Sequence, residues 1–244
     1  MHHALLDEWS RRASPLHRRD PRAKTAALLV FLVALATAHR NLAVAGPLFL
    51  LLLAAGFLAA RIPLAGALAR AAVVLPFSLV FAAVTALAGD APRAAALTAK
   101  AYLSAAAVLL LVSTTPLPLL LRGLEGLGVP RFLLMVAQFL YRYLFVISEE
   151  AQHMRIAAAS RAGDGRVRAA RFRAAAGALA VLFARSYARA GDIYRAMVAR
   201  GFDGRFRLLA TPRFGAADAW FLVFAAGAPV LLRLALEGGV PWPQ

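Results

Sequence analysis

Five apolar runs, set off by arginine, proline or glycine, constrain this chain more than any other feature. They cover 25–38, 42–60, 71–88, 97–115 and roughly 216–235. About 20 apolar residues cross the hydrocarbon core of a bilayer as a helix. Inside lipid every backbone N–H and C=O must find its partner within the protein, so runs of this length are expected to be helices. The first run is short, and Lys24 and Arg40 can snorkel from its two ends. The sequence therefore predicts an all-α membrane protein with about five transmembrane helices. A coupling domain of long amphipathic helices is inserted before the last span. The expected division is 1–24 as an N-terminal segment, 25–115 as four spans, 116–215 as the insert, and 216–244 as the last span with a short outer tail.

Composition agrees. Hydrophobic residues make up 61% of the 244 and mean hydropathy is +0.68, well above the roughly 45–50% apolar content of soluble domains. The formal charge of +16 could point to nucleic acid. No nucleic-acid recognition pattern accompanies it, and the basic residues lie beside the apolar runs, so no nucleic-acid partner is expected. With no cysteine in the chain, thiolate chemistry and Cys-ligated metals are excluded.

The basic residues also set an orientation. Segments 1–24, 61–70 and 116–215 hold 24 of the 28 Lys and Arg. Loops that stay inside keep their Lys and Arg, which puts the N-terminus and the insert in the cytoplasm of a multi-pass inner-membrane protein. Basic residues before 26–35, and the small residues Ala36-Thr37-Ala38, also outline a signal peptide. The 24-residue basic region, with its Pro and Asp, is too long and too structured for one, and favours a retained first span.

In the insert, Pro116 and Pro118 end the fourth span, and 119–127 reads as a short amphipathic helix closed by Gly128 and Pro130. A long helix is expected over 131–161, with Val136, Leu140, Tyr143, Ile147, Met154 and Ala157 as its apolar seam. Arg142 interrupts 132–148, so this stretch is expected to lie on or under the bilayer rather than cross it. After Ala162-Gly163-Asp164-Gly165 a second helix is expected over about 171–200, with Tyr187, Ala190, Tyr194 and Met197 as its seam. The two helices should pack together.

Each helix ends on an arginine beside a breaker, in Ser160-Arg161-Ala162 and Ala199-Arg200-Gly201. A cation is favoured in a last helical turn, which explains either arginine alone. The repetition points to docking on another protein, since a planar guanidinium fork meets carboxylates and carbonyls with fixed geometry. Glu150 falls on the first seam, where an arginine from the other helix should pair with it. Glu149 and Glu150 diverge by about 100° on a helix and cannot share one substrate atom.

Catalytic patterns are missing from the sequence. It has no Gly-x-x-x-x-Gly-Lys-Ser/Thr phosphate loop, and Asp164-Gly165-Arg166 lacks the paired aspartates of a membrane phosphotransferase. His2, His3, His17, His39 and His153 gather no carboxylate cluster. No catalytic residue, metal ligand or cofactor is assigned to this chain. An independent permease would favour polar groups near mid-membrane, where only Thr37, Ser78, Thr85, Ser104 and similar hydroxyls occur.

Several stretches, in order, resemble the transmembrane T component of energy-coupling factor (ECF) transporters, in its cobalt/nickel CbiQ-like branch. They are Ser14-Pro15-Leu16-His17-Arg18-Arg19-Asp20-Pro21-Arg22-Ala23-Lys24, Arg61-Ile62-Pro63-Leu64, Leu75-Pro76-Phe77, Thr114-Thr115-Pro116, Leu127-Gly128-Val129-Pro130-Arg131, and Tyr141-Arg142-Tyr143-Leu144-Phe145-Val146 with Glu149-Glu150 and Met154-Arg155. The most specific is Tyr194-Arg195-Ala196-Met197-Val198-Ala199-Arg200-Gly201-Phe202-Asp203-Gly204.

The resemblance implies a scaffold joining two ABC-type ATPase subunits to a membrane-embedded substrate-binding subunit. ATP is bound and hydrolysed by the ATPases, and the cargo is cobalt or nickel, with a vitamin as the alternative. It also implies that Arg161 and Arg200 dock on the two ATPases, with Ser160, Ala162, Ala199 and Gly201 framing them and Glu149, Glu150 and Asp203 in support. Ser160-Arg161-Ala162 keeps only the arginine of the family's Ala-Arg-Gly pattern, whereas Ala199-Arg200-Gly201 fits it fully.

Overall fold

The computed structural model describes residues 14–38, 42–161, 168–204 and 214–237. Those residues form eight helical rods with no strand among them. The rods are α1 (Pro21–Thr37), α2 (Leu42–Ala59), α3 (Leu64–Leu87), α4 (Ala91–Thr114), α5 (Leu117–Gly126), α6 (Arg131–Arg161), α7 (Arg168–Ala199) and α8 (Ala216–Glu237). They fall into two compact units, with the boundary at Pro130. One unit holds α1–α5 and α8, and the other holds α6 and α7.

In the first unit α1 is the hub, against which α4, α5 and α8 all pack. Phe31 and Leu35 of α1 are buried with Phe49, Leu53 and Phe57 of α2 and Leu103, Ala106 and Ala107 of α4. The Phe31 and Phe49 rings meet edge to face at 5.5 Å, the arrangement their quadrupoles favour. Small residues set the helix spacing. A Cβ on Gly56 would stand 2.7 Å from a Leu110 methyl, so a side chain there would require that leucine to shift.

By length and composition, four helices among the described residues can cross a membrane: Leu64–Leu87, Ala91–Thr114, Arg131–Ser160 and Ala216–Ala235. Ala45–Ala59 is a shorter apolar helix. Two features differ from the sequence expectation. The third rod begins at Leu64 rather than at residue 71, so Arg70 sits within it. The long α6 meets the same length and apolarity criterion despite Arg142.

Pro76 is accommodated within the rod itself. The rod tightens into a 3₁₀ turn over Ala72–Val74, and the Leu75 N–H donates to the Ala72 carbonyl that proline cannot serve. The freed carbonyl is thus satisfied locally. Thr37, Ser78 and Thr85 likewise donate to carbonyls of their own helices, at Val33, Leu75 and Phe81. Their hydroxyls face backbone rather than a shared polar path. Lys100 lies nine residues into α4 and donates to the Ala36 carbonyl at 2.9 Å, capping the last turn of α1.

In the second unit α6 and α7 pack against each other. The helix over 131–161 ends where periodicity places it, and α7 starts at Arg168, a few residues earlier than expected. On α6 the expected seam is only partly covered: Tyr143 and Met154 are half-buried, whereas Val136, Leu140, Ile147 and Ala157 are exposed. The α7 seam is corrected. Tyr187 and Tyr194 are 76% and 64% exposed, and the half-buried side is Ala178, Leu182, Ser186, Ile193 and Met197. Alanine fills so much of α7 that apolarity barely distinguishes its faces.

Candidate coupling helices and a buried polar junction

The C-terminus of α7 closes in a Schellman turn. The Phe202 N–H donates to the Met197 carbonyl at 3.0 Å and the Gly201 N–H to the Val198 carbonyl at 2.9 Å. Gly201 has φ +75°, the left-handed conformation in which a side chain would clash with its own backbone. Arg200 is thereby the residue at which the helix stops, exposed together with Ala199 and Gly201. Asp203 is exposed just beyond the turn, and Gly204 follows with φ +79°.

At the other motif, α6 ends on Arg161. Ser160 is exposed and its hydroxyl donates back to the Ile156 carbonyl at 3.0 Å. The Arg161 side chain and Ala162 lie outside the described residues. The helix ends are nonetheless far apart. The 32 residues of α7 span about 47 Å, and the seven steps from Arg161 to Arg168 reach at most about 25 Å. The Cα atoms of Arg161 and Arg200 are therefore at least about 20 Å apart.

Glu150 meets Arg185 of α7 at 2.5 Å, the cross-helix pair expected from its position on the seam. The contact lies near the middle of both helices and ties them where they pack. Glu149 is exposed beside it.

The first unit carries a polar junction that the sequence did not announce. Asp20 caps α1, its carboxylate accepting the Arg22 N–H at 2.8 Å, with Pro21 in the first turn. The Asp20 N–H donates to Asp218 Oδ1 at 3.0 Å, and Asp218 Oδ2 accepts the Gly215 N–H at 3.0 Å. Lys24 lies just before the apolar run and does not snorkel. It is 5% exposed, and its ammonium donates to the carbonyls of His17 and Thr114 and to Thr115 Oγ1, at 3.3, 3.0 and 3.1 Å. Burial pushes the Lys24 pKa down to about 8, with Asp20 and Asp218 pulling the other way, so the group is still largely charged at neutral pH. The signals for this junction were Asp20-Pro21, an N-cap followed by proline, and Asp218 in the first turn of the last helix.

The family profile described as CbiQ, cobalt transport protein, matches residues 12–209. A cobalt transport protein CbiQ of Rhodobacter capsulatus is 36% identical over 101 residues, 41% of each chain. An uncharacterised protein of Methanocaldococcus jannaschii, MJ1089, is 30% identical over 106 residues, 43% of this chain and 39% of that one. A second from the same organism, MJ1571, is 27% identical over 112 residues, 46% of this chain and 38% of the other. The matched stretch spans about two fifths of the length of each of these curated relatives. On the match to residues 12–209, the chain belongs to the CbiQ family of cobalt transport proteins.

Proposed function

We propose that this chain is the transmembrane T subunit of an ECF-type importer, coupling two partner ATPases to a membrane-embedded substrate-binding subunit. The observation that carries the reading is the exposed Ala199-Arg200-Gly201 end of α7, held by a Schellman turn that leaves Arg200 free to enter a partner. Arg161 ends α6 and is the residue proposed to meet the second ATPase.

In this reading α6 and α7 lie on the cytoplasmic side with the N-terminus, and the apolar half of α6 rests at the membrane interface. ATP binding closes the ATPase pair, and the two helix ends follow. A ligand shifts an equilibrium only through contacts that differ between its two states, so the coupling helices need a stiff connection with two packings. The Glu150–Arg185 contact supports that stiffness. Catalysis belongs to the ATPases, and cargo recognition to the membrane partner. The cobalt transport family supports cobalt as that cargo, and nickel or a vitamin is the alternative.

Purification from membranes in mild detergent, with partners identified by mass spectrometry, tests the assembly. Two ABC-type ATPases and one small membrane protein are expected. Recovery of the chain alone from cells that express such partners would contradict it. The purified single chain should not hydrolyse ATP, and sustained turnover by it would overturn the scaffold role. A cysteine introduced at Gly165 should resist an impermeant thiol reagent until cells are opened. Rapid labelling of intact cells would reverse the orientation.

A further inference from the structure

A crevice of about 430 Å³ opens in the first unit, walled by Leu28 and Phe31 of α1, Leu52 and Gly56 of α2, Leu110 of α4 and Phe224 of α8. Its volume is within the range of about 300–1,000 Å³ usual for small-ligand sites. The walls are almost wholly apolar, and Arg19 and Lys24 are the charged residues that reach it. Pro15 and Arg19 also line a second hollow of about 420 Å³, together with Ser14, Arg18 and Arg61. An apolar slot and a basic mouth thus share one wall.

The Lys24 ammonium is occupied by its three oxygen partners, which leaves Arg18, Arg19 and Arg61 as the cations of the mouth. None of the three makes an ion pair among the described residues. Arg61 has a further peculiarity. It closes α2 at φ +57°, with the Ile62 N–H on the Phe57 carbonyl at 3.0 Å. That is the helix-end position where glycine is free of strain. An arginine there keeps a guanidinium at the mouth in spite of the backbone preference.

We propose that this paired cavity seats one anionic diacyl phospholipid, its phosphate at Arg18, Arg19 and Arg61 and an acyl chain in the crevice. Charge complementarity and shape select this occupant. Guanidinium forks match phosphate oxygens, and basic clusters beside membrane helices attract anionic headgroups. A free phosphate would leave the apolar slot unused, and a partner's apolar helix would leave three arginines without counter-charge.

The test uses the full chain in mild detergent, titrated with phosphatidylglycerol, phosphatidylcholine or glycerol phosphate and read by native mass spectrometry. One phosphatidylglycerol should be retained at least tenfold more strongly than phosphatidylcholine, with no retention of glycerol phosphate. Arg61→Gly suits the left-handed backbone, so it should fold at least as well as the native chain while losing severalfold in lipid retention. Arg18→Gln with Arg19→Gln and Arg61→Gly should abolish the headgroup preference, and Ala225→Trp, which fills the crevice, should displace the lipid. Equal retention of the two lipids, retention of glycerol phosphate by itself, or undiminished binding in the triple variant would overturn the proposal. In intact membranes, benzoylphenylalanine in place of Ala225 should label lipid, and a crosslink to a protein instead would assign the crevice to a partner helix and likewise overturn it.

Discussion

The Asp20 backbone N–H donates to the Asp218 carboxylate at 3.0 Å, joining residues 198 positions apart. The last helix of the first unit therefore begins at the cap of the first, and α1 and α8 pack along each other from that point. Lys24 stands beside this link, carrying the connection on to Thr114 and Thr115 at the end of α4.

Removing the ammonium should loosen all these connections together. A hydrogen bond from a charged group contributes about 1.5–3 kcal/mol, and a buried acceptor left bare adds its own desolvation penalty. Lys24→Met should thus lower the thermal midpoint of the detergent-solubilised chain by several degrees. Asp218→Ala should act in the same direction, because it strands the Asp20 and Gly215 N–H groups. A Lys24→Met variant with an unchanged midpoint would show that the junction has no structural weight.

Much of the architecture is legible in the sequence. The bounds of α6 follow from its spacing of three and four, and Glu150 on that seam announces Arg185. The α7 seam was misplaced because its alanines blur the apolar face, so tyrosines at seven-residue spacing looked buried when they are exposed. Arg70 was taken as the end of a loop, although a half-buried arginine fits within a helix whose neighbours are alanines. Lys24 beside an apolar run looked like a snorkelling residue. Its burial depends on oxygens about 90 residues away, which no local pattern records.

Gly201 should be sensitive for its backbone alone. Forcing an alanine into φ +75° costs roughly 1–2 kcal/mol, which should fray the α7 end and redirect Arg200. Gly201→Ala is expected to weaken ATPase binding, whereas Gly201→Asn, which tolerates this conformation better, should retain more of it. Pull-down of the ATPases by the two variants decides the matter, and equal binding to wild type by Gly201→Ala would separate the turn from the docking.

The Glu150–Arg185 contact is partly exposed, with side chains 27% and 61% accessible, so its contribution to stability should not exceed about 1 kcal/mol. Its larger effect is expected on coupling. Glu150→Arg should reduce uptake with little change in thermal midpoint, and adding Arg185→Glu should restore part of the loss. Failure of the exchanged pair to recover any uptake, with normal assembly, would remove the contact from the coupling path.

Gly56 offers a packing test in the first unit. Gly56→Leu would drive its side chain into Leu110, which a Cβ alone already approaches to 2.7 Å. Overpacking of this kind typically costs about 1–3 kcal/mol, and Gly56→Ala should be milder. Thermal unfolding of the two variants should fall in that order.

Arg161 and Arg200 are expected to act on separate ATPases. The most direct measurement is cobalt or nickel uptake together with ATPase pull-down, made on Arg161→Ala, Arg200→Ala and the double variant. Truncating one partner of a desolvated charged contact removes about 2–5 kcal/mol of binding. Each single variant should therefore bind ATPase more weakly or hydrolyse ATP without transport, and the double should do worse than either. Arg200→Lys should recover little, since it keeps the charge and loses the planar fork. Membrane insertion should be unchanged throughout. Wild-type assembly and uptake in the double variant would contradict the account and leave both arginines as helix-end charges.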